Sequence, residues 1–113
     1  MTDDRLKALL LAIDDGDCRE ILSAIGEEPK AVKEVSEECD VPLSTAYRKV
    51  NRLHEAGLVE EKVRLSGSGN HTNVYEESFE GALITVGPDG DFQVELVRNR
   101  RESPPRARHR IEG

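Results

Sequence analysis

The spacing of apolar side chains changes at Gly57, and this change constrains the fold more than any other feature of the chain. Before Gly57, apolar residues recur at intervals of three and four, as they do along one face of an α-helix. After Gly57 they alternate with charged residues, as in a β-strand with one buried face. We therefore expect one α+β domain in which the helices come first and the strands follow.

Local signals divide the first half of the chain into four helices. Thr2 is the expected N-cap of the first helix, and Asp17 with Glu20 has the D-x-x-E form of a capping box for the second. Pro29 precedes the third helix, and Gly57 is the expected end of the fourth. The predicted bounds are about 2–14, 17–26, 30–39 and 43–56.

Two hairpins are predicted after Gly57. Residues 58–77 form the first, because β-prone runs flank the glycine-rich segment "SGSGN", which cannot hold a helix. Residues 80–97 form the second around the turn sequence "GPDG". Residues 1–97 are thus expected to form one domain, and the arginine-rich residues 98–113 are predicted to be disordered.

Charge is distributed unevenly along the chain. Residues 1–97 carry 10 basic and 21 acidic side chains, a net charge of −11, whereas residues 98–113 carry 6 and 2, a net charge of +4. Such a densely acidic surface resembles that of proteins from salt-loving archaea, where it maintains solubility in concentrated salt. The arginine-rich tail is either an arm that follows a phosphate backbone or a solvated end.

The sequence carries no signature of an enzyme, a cofactor site or a membrane segment. H-E-x-x-H is absent, "GSGNH" lacks the strand and helix context of a phosphate-binding loop, and "GPDGD" lacks the ligand spacing of a calcium loop. Cys18 and Cys39 stand far apart on predicted apolar helix faces, which favours buried thiols, with a redox pair as the alternative. We expect a cytoplasmic protein without enzymatic activity, cofactor, metal or small-molecule substrate.

The stretch "VPLSTAYRKVNRLHEAGLVEE", residues 41–61, places two kinds of side chain on opposite faces of one helix. Apolar residues spaced by three, four and three predict the buried face: Leu43, Ala46, Val50 and Leu53. The other face is polar, and part of it is basic although the chain as a whole is acidic. This exposed set consists of Ser44, Thr45, Arg48, Lys49, Asn51, Arg52 and Glu55.

Residues 17–77 resemble the winged helix-turn-helix domain of ArsR-like and TrmB-like transcriptional regulators. The resemblance is carried by "AVKEVSEECDVPLSTAYRKVNRLHEAGLVEE", and most specifically by "STAYRKVNRLHEAGLV", a helix that begins with hydroxyl residues and ends in the corner before a wing. It implies a winged helix-turn-helix fold, here with an N-terminal helix and an additional C-terminal hairpin. It also implies a regulator that binds specific double-stranded DNA sequences, with this recognition helix in the major groove and the wing on the adjacent minor groove or backbone.

The resemblance assigns roles to the exposed residues of the recognition helix. The hydroxyl side chains at its start, together with Arg48, are expected to read base edges, since arginine binds guanine through two hydrogen bonds. Lys49 and Arg52 are expected to bind mainly phosphates. Tyr47, at the border of the buried face, either packs or contacts a phosphate. The predicted DNA-binding set on this helix is Ser44, Thr45, Tyr47, Arg48, Lys49, Asn51 and Arg52.

The wing tip, "RLSGSGNHTN", supplies small or polar side chains, and its glycines permit close approach of the backbone. In winged-helix proteins such a tip meets the minor groove or its phosphates, although an ordinary mobile hairpin tip has the same composition. The candidate DNA contacts in the wing are Arg64, Ser66, Ser68, Asn70 and His71.

A homodimer is expected, because paired recognition helices in successive major grooves read near-palindromic sites. The candidate dimer contacts are Leu6, Leu10 and Leu11 of the first helix, or the free edge of the second hairpin. The alternative function is a winged helix that binds protein in a transcription or chromosome-associated assembly. In that case the acidic surface would be the working surface.

Overall fold

The computed structural model describes residues 4–98, which form four α-helices followed by four β-strands. The helices are α1 (Asp4–Asp14), α2 (Gly16–Glu27), α3 (Val32–Cys39) and α4 (Leu43–Glu55), and the strands are β1 (Val59–Leu65), β2 (His71–Glu77), β3 (Phe79–Val86) and β4 (Phe92–Arg98). This order confirms the predicted α+β winged helix-turn-helix layout. The expected N-cap Thr2 and residues 99–113 of the predicted tail lie outside the described residues, whereas Arg98, the first residue of that tail, is the last residue of β4. Of the helices in residues 4–98, none is long and apolar enough to span a membrane.

The core lies where the four helices meet the start of β1. Leu9 of α1, Ile21 of α2 and Leu53 of α4 are each at most 2% exposed, as is Val35 of α3. Burying a side chain of this size stabilises the fold by about 1.5–3 kcal/mol. Because α4 contacts each of the other three helices, its inner face is fixed on three sides and its outer face is held in one orientation.

The N-terminus of α2 differs from the prediction. The N-cap is Asp15, whose carboxylate accepts hydrogen bonds from the backbone N–H groups of Asp17 at 2.9 Å and Cys18 at 3.3 Å. The capping box predicted at Asp17 is therefore wrong, and Asp17 lies in the first turn. Its negative charge is favourable there because the start of a helix carries positive partial charge. The helix continues to Glu27, one residue beyond the predicted glycine end.

A tight turn connects α3 to α4. Asp40 adopts a left-handed conformation with φ 58°, and the N–H of Val41 donates to the carbonyl of Ser36 at 3.1 Å. The Ser36 hydroxyl donates to the carbonyl of Val41 at 2.7 Å, which ties the turn from both sides. Pro42 then caps α4 with extended backbone, a conformation that its fixed φ favours. These local bonds hold the turn between α3 and α4 in one conformation.

Gly57 ends α4, as predicted. Its φ is 80°, a value that glycine adopts without strain. The Gly57 N–H donates to the His54 carbonyl and the Leu58 N–H to the Leu53 carbonyl, each at 3.0 Å, which is the bonding pattern of a Schellman motif. A Cβ at position 57 would also lie 2.8 Å from Cδ1 of Leu96. The start of the wing therefore depends on glycine here.

The strands form two separate antiparallel hairpins, β1–β2 and β3–β4. In the first, the register runs from Val59 opposite Glu77 to Leu65 opposite His71. An isolated bridge between Lys30 and Tyr75 joins the segment before α3 to β2, with backbone hydrogen bonds of 2.8 and 3.0 Å. This bridge anchors the base of the first hairpin to the helices.

The outer part of the first hairpin projects away from the core. The alternating pattern predicted one buried face for β1, but only Val59 is buried, whereas Val63 is 58% exposed and Leu65 is 67% exposed. In β2 only Val74 is buried. The alternation correctly predicted a strand, but the distal apolar residues Val63 and Leu65 are left uncovered. This projection is what a wing requires.

Candidate nucleic-acid interface

The outer face of α4 presents polar side chains to solvent. Ser44, Arg48 and Asn51 are exposed along the centre of this face, because residues spaced by three and four lie on one side of a helix. Tyr47 was predicted either to pack against the core or to contact a phosphate. It is 59% exposed and therefore does not pack in the core. Leu43, predicted to lie on the buried face, is 46% exposed, so that prediction is wrong for this residue.

Asp15 engages two of the predicted phosphate-binding side chains. Its Oδ2 accepts hydrogen bonds from Lys49 Nζ at 2.5 Å and from Arg52 Nη1 at 2.9 Å. The side chain of Lys49 is only 13% exposed and that of Arg52 is 36% exposed. The prediction that Lys49 lies on the fully exposed face is therefore wrong, since the N-terminus of α2 covers it.

The environment of Asp15 strongly favours its charged form. The hydrogen bond from Lys49 is the largest cause, and it lowers the pKa of Asp15 from 3.8 to about 2, with burial acting in the opposite direction. The backbone N–H groups of Cys18 and Asp17 act in the same sense as Lys49. The cluster of Asp15, Lys49 and Arg52 thus resembles a small anion site whose anion is the protein's own carboxylate.

Arg48 differs from the other basic residues of α4. Among residues 4–98, neither a hydrogen bond nor an ion pair engages its side chain, and it is exposed. A phosphate would have to displace Asp15 to reach the largely buried Lys49, and Arg52 already shares that carboxylate through Nη1, whereas an incoming group can reach Arg48 directly. The three basic side chains that look equivalent in the sequence are therefore unequal in the fold.

A groove of about 430 Å³ lies between α4 and β2 beside these residues. Sequence reasoning missed one of its aromatic walls, Tyr75. The Tyr75 ring meets the His54 ring edge-on, with centroids 6.1 Å apart and planes at 77°, and its backbone pairs with Lys30. The lining residues are Val32, Ser44, Tyr47, Arg48, Val50, Asn51 and Tyr75.

The outer part of the wing is connected to α3 through Arg64, which lies opposite Thr72 near the tip. Arg64 Nη2 donates to Glu34 Oε2 at 3.0 Å, and Glu34 Oε1 accepts from the Ala31 N–H at 2.8 Å. The hydrogen bond from Ala31, followed by that from Arg64, lowers the pKa of Glu34. Arg64 is thus a DNA candidate that already has an intramolecular partner, and it also orients the wing.

The tip of the wing is a closed turn. Ser66 N–H donates to the Asn70 carbonyl and Gly69 N–H to the Ser66 carbonyl, both at 3.0 Å. The Ser66 and Ser68 hydroxyl groups are 2.9 Å apart, and Asn70 N–H donates to Ser66 Oγ at 3.2 Å. These bonds define the turn that joins β1 to β2. Within the wing, every side chain predicted to contact DNA is exposed: Arg64, Ser66, Ser68, Asn70 and His71.

Acidic side chains surround the interface. Lys62 in β1 pairs with Glu60 at 3.5 Å and with Glu76 at 4.0 Å. Glu55 at the end of α4 and Glu61 in β1 are exposed nearby in the chain. These acidic side chains would repel the phosphates of a nucleic acid that approached the end of α4.

Both cysteines are free thiols. Burial raises the pKa of Cys18 to about 11, and its Sγ lies 3.8 Å from the Lys49 carbonyl as a weak donor. Burial also raises the pKa of Cys39. A raised pKa keeps a thiol protonated and unreactive at neutral pH. Within residues 4–98, no group of His, Cys, Asp and Glu side chains has a metal-binding arrangement.

The exposed surface of α1 differs from the predicted dimer contact. Leu6 is 4% exposed and belongs to the core, so its assignment to a dimer interface is wrong. Leu10 and Leu11 are 49% and 59% exposed, and Ile13 is 48% exposed. The helical period predicted which residues share a face, but α1 has two apolar faces and only one of them packs on the helices.

Residues 13–62 match a family model described as a helix-turn-helix domain. The matched segment runs from the end of α1 through α2, α3 and α4 into β1. It supports a helix-turn-helix domain of the type found in transcription regulators, whose general role is DNA binding and not catalysis. No curated protein matches the sequence.

Proposed function

We propose that this protein is a transcriptional regulator that binds specific double-stranded DNA sequences with α4 in the major groove. The observation that carries the proposal is the exposed stripe of Ser44, Arg48 and Asn51 on a helix whose opposite face is buried. An α-helix fits the major groove, where arginine pairs with guanine and asparagine with adenine through paired hydrogen bonds. A stripe of such residues at helical spacing is therefore suited to reading successive base pairs.

The remaining contacts follow from the positions of the other side chains. Thr45 reads bases together with the central stripe, and Tyr47, exposed at its flank, contacts a phosphate. Lys49 binds a phosphate after Asp15 releases it, and that release also frees Nη1 of Arg52. The wing contacts the adjacent minor groove or its backbone through its exposed tip, to which Arg64 belongs.

We also propose that the protein acts as a homodimer. We propose further that it is similar to the ArsR-like and TrmB-like regulators and comes from a salt-loving archaeon. The net charge of −11 on residues 1–97 repels DNA at long range. At a salt concentration of 1 M the Debye length is only about 3 Å, so distant acidic groups would contribute little. Direct contacts such as that of Arg48 would then decide binding.

Arg48→Ala is expected to weaken specific binding by about 1–3 kcal/mol and to relax base preference at one position of the site. The first step is selection from a random-sequence duplex library by the full-length protein, at low and at molar KCl. A near-palindromic motif is expected, and binding of Arg48→Ala to that motif is then measured. Lys7→Ala, which removes a positive charge from α1 instead, is the control and should bind as the wild type does.

One observation favours a different function, a winged helix that binds protein. The acidic side chains around α4, which include Glu55, Glu60 and Glu61, are suited to a basic protein surface. Under this alternative no motif is enriched at either salt concentration, and Arg48→Ala is nearly silent toward DNA. These two results together would contradict DNA binding and favour the protein-binding function.

Asp15→Asn is expected to strengthen binding to duplex DNA at low salt, because it frees Lys49 and Arg52 for phosphates. Each phosphate contact adds about 0.9 to the slope of log affinity against log salt, so the slope should steepen by up to about 2. Asp17→Asn changes net charge equally at the same helix end and is the matched control. Equal slopes for the two variants would show that Asp15 does not compete with phosphate.

A further inference from the structure

The hairpin of β3 and β4 has an apolar face that is only partly covered. It forms a two-stranded sheet by itself, and a two-stranded sheet is marginal in water unless its apolar face is packed. On this face Val94 is buried against the core, whereas Ile84, Val86 and Phe92 are 46%, 58% and 48% exposed. The hairpin therefore has apolar surface beyond what α1 covers.

The two edges of this hairpin differ. On the outer side of β4, Arg5 Nη2 donates to the Val94 carbonyl at 3.3 Å, so α1 occupies part of that edge. β4 also carries the charged Glu95 in its middle. On the outer side of β3, no strand lies within residues 4–98. Residues 82–86 of β3 are "ALITV", without a charged side chain.

The backbone of β3 presents hydrogen-bonding groups to this open side. Gly87 N–H donates to the Asp91 carbonyl at 2.8 Å, and bonded and non-bonded pairs alternate along an antiparallel ladder. The register continues through Val86 opposite Phe92 and Ile84 opposite Val94. Consequently the N–H and C=O groups of Ala82, Ile84 and Val86 point away from β4.

We propose that this open edge of β3 pairs with the same edge of a second copy of the chain. The strands run antiparallel about a two-fold axis at Ile84, so that Ile84 faces the partner's Ile84 and Ala82 faces the partner's Val86. All three outward-facing residues of the uncharged stretch then form hydrogen bonds. The two hairpins become one four-stranded sheet. Their apolar faces lie on the same side of it, because directly opposed residues of an antiparallel pair project to the same side and Ile84 belongs to the apolar face of each hairpin.

A second copy fits this edge better than an unrelated strand. A two-fold contact places each residue against its own symmetry mate or a near neighbour, and "ALITV" brings no like charges together. Pairing through β4 would instead have to displace the Arg5 side chain, which donates to the Val94 carbonyl on that edge. An uncharged open edge is also an aggregation hazard that proteins otherwise block with lysine or proline. The proposal specifies the surface of the proposed homodimer and does not depend on DNA binding.

Sedimentation of the full-length protein in molar KCl, without DNA, tests this pairing. The wild type should be dimeric at high micromolar concentration. The dissociation constant of the dimer should be at least about tenfold higher for Ile84→Pro. Proline at position 84 removes only an outward N–H, so it spares the ladder with β4. Leu10→Ser with Leu11→Ser is the matched control on α1 and should remain dimeric. A monomeric wild type, or a dimer lost only in the α1 variant, would overturn the proposal.

Disulfide formation provides a second test that does not rely on Ile84→Pro folding. Opposed residues in a bonded antiparallel pair have Cα atoms about 5.5 Å apart, within the range that a disulfide spans. Ile84→Cys should therefore cross-link two copies under mild oxidation. Val86→Cys should not, because its counterpart is the partner's Ala82. Cross-linking of both variants or of neither contradicts the proposed register, whatever the result of DNA selection.

Discussion

Asp15→Asn is expected to lower the free energy of unfolding at neutral pH by about 2 kcal/mol, because the change removes the negative charge that Lys49 and Arg52 share. Asparagine remains a good N-cap, so the loss reports mainly the ion pairs. The partner side chains are left close together without their anion, and Lys49 is mostly buried. Denaturant unfolding of the variant and the wild type gives the difference directly.

The pH dependence identifies the cause of this loss. The pKa of Asp15 is about 2 in the folded protein and 3.8 ordinarily. Because the folded value is depressed, the stabilisation is fully present above the ordinary pKa and is lost as the pH falls through the folded value. The difference between wild type and Asp15→Asn should therefore shrink between about pH 4 and pH 2. A difference that stays constant over this window would mean that the charge of Asp15 is not its source.

Leu53→Ala is expected to destabilise the protein by about 2–5 kcal/mol. Leu53 lies on the inner face of α4, is 1% exposed and packs in the cluster that all four helices share. Truncation removes buried methyl groups and leaves a cavity, while alanine keeps the helix propensity high. Thermal or denaturant unfolding measures the loss.

Leu11→Ala is the matched control for Leu53→Ala. Leu11 is 59% exposed on α1, and exposed substitutions change stability by no more than about 0.5 kcal/mol. The comparison with Arg48→Ala separates folding from recognition, since that variant should bind DNA poorly while unfolding as the wild type does. If Leu53→Ala and Leu11→Ala lost equal stability, the assignment of the two faces would be wrong.

Helix and strand identity could be read from the sequence because the signals are local. The spacing of Ala46, Val50 and Leu53 and the glycine at position 57 define α4 without reference to any other part of the chain. Likewise "SGSGN" and "GPDG" define two turns through the backbone preferences of glycine and proline. These signals predicted the order of elements and their approximate ends.

Contacts between elements could not be read in this way. Asp15 and Asp17 are both followed by helical residues, and the local sequence does not decide which of them is the N-cap. The basic side chains of α4 favour Asp15, whose second carboxylate oxygen accepts from Lys49 and Arg52. The same limitation applies to Tyr75, whose place beside His54 depends on how β2 crosses the helices.

The sequence by itself determined that four helices precede two hairpins and that α4 has one apolar and one polar face, since periodicity and turn residues act within a few positions of the chain. Only the tertiary structure decided which basic side chains are available. Lys49 and Arg52 meet Asp15 across 34 and 37 positions of sequence, and Arg48 meets no such partner within residues 4–98. It also buried Leu6 while leaving Leu10 and Leu11 exposed, because burial depends on which neighbouring element covers each face.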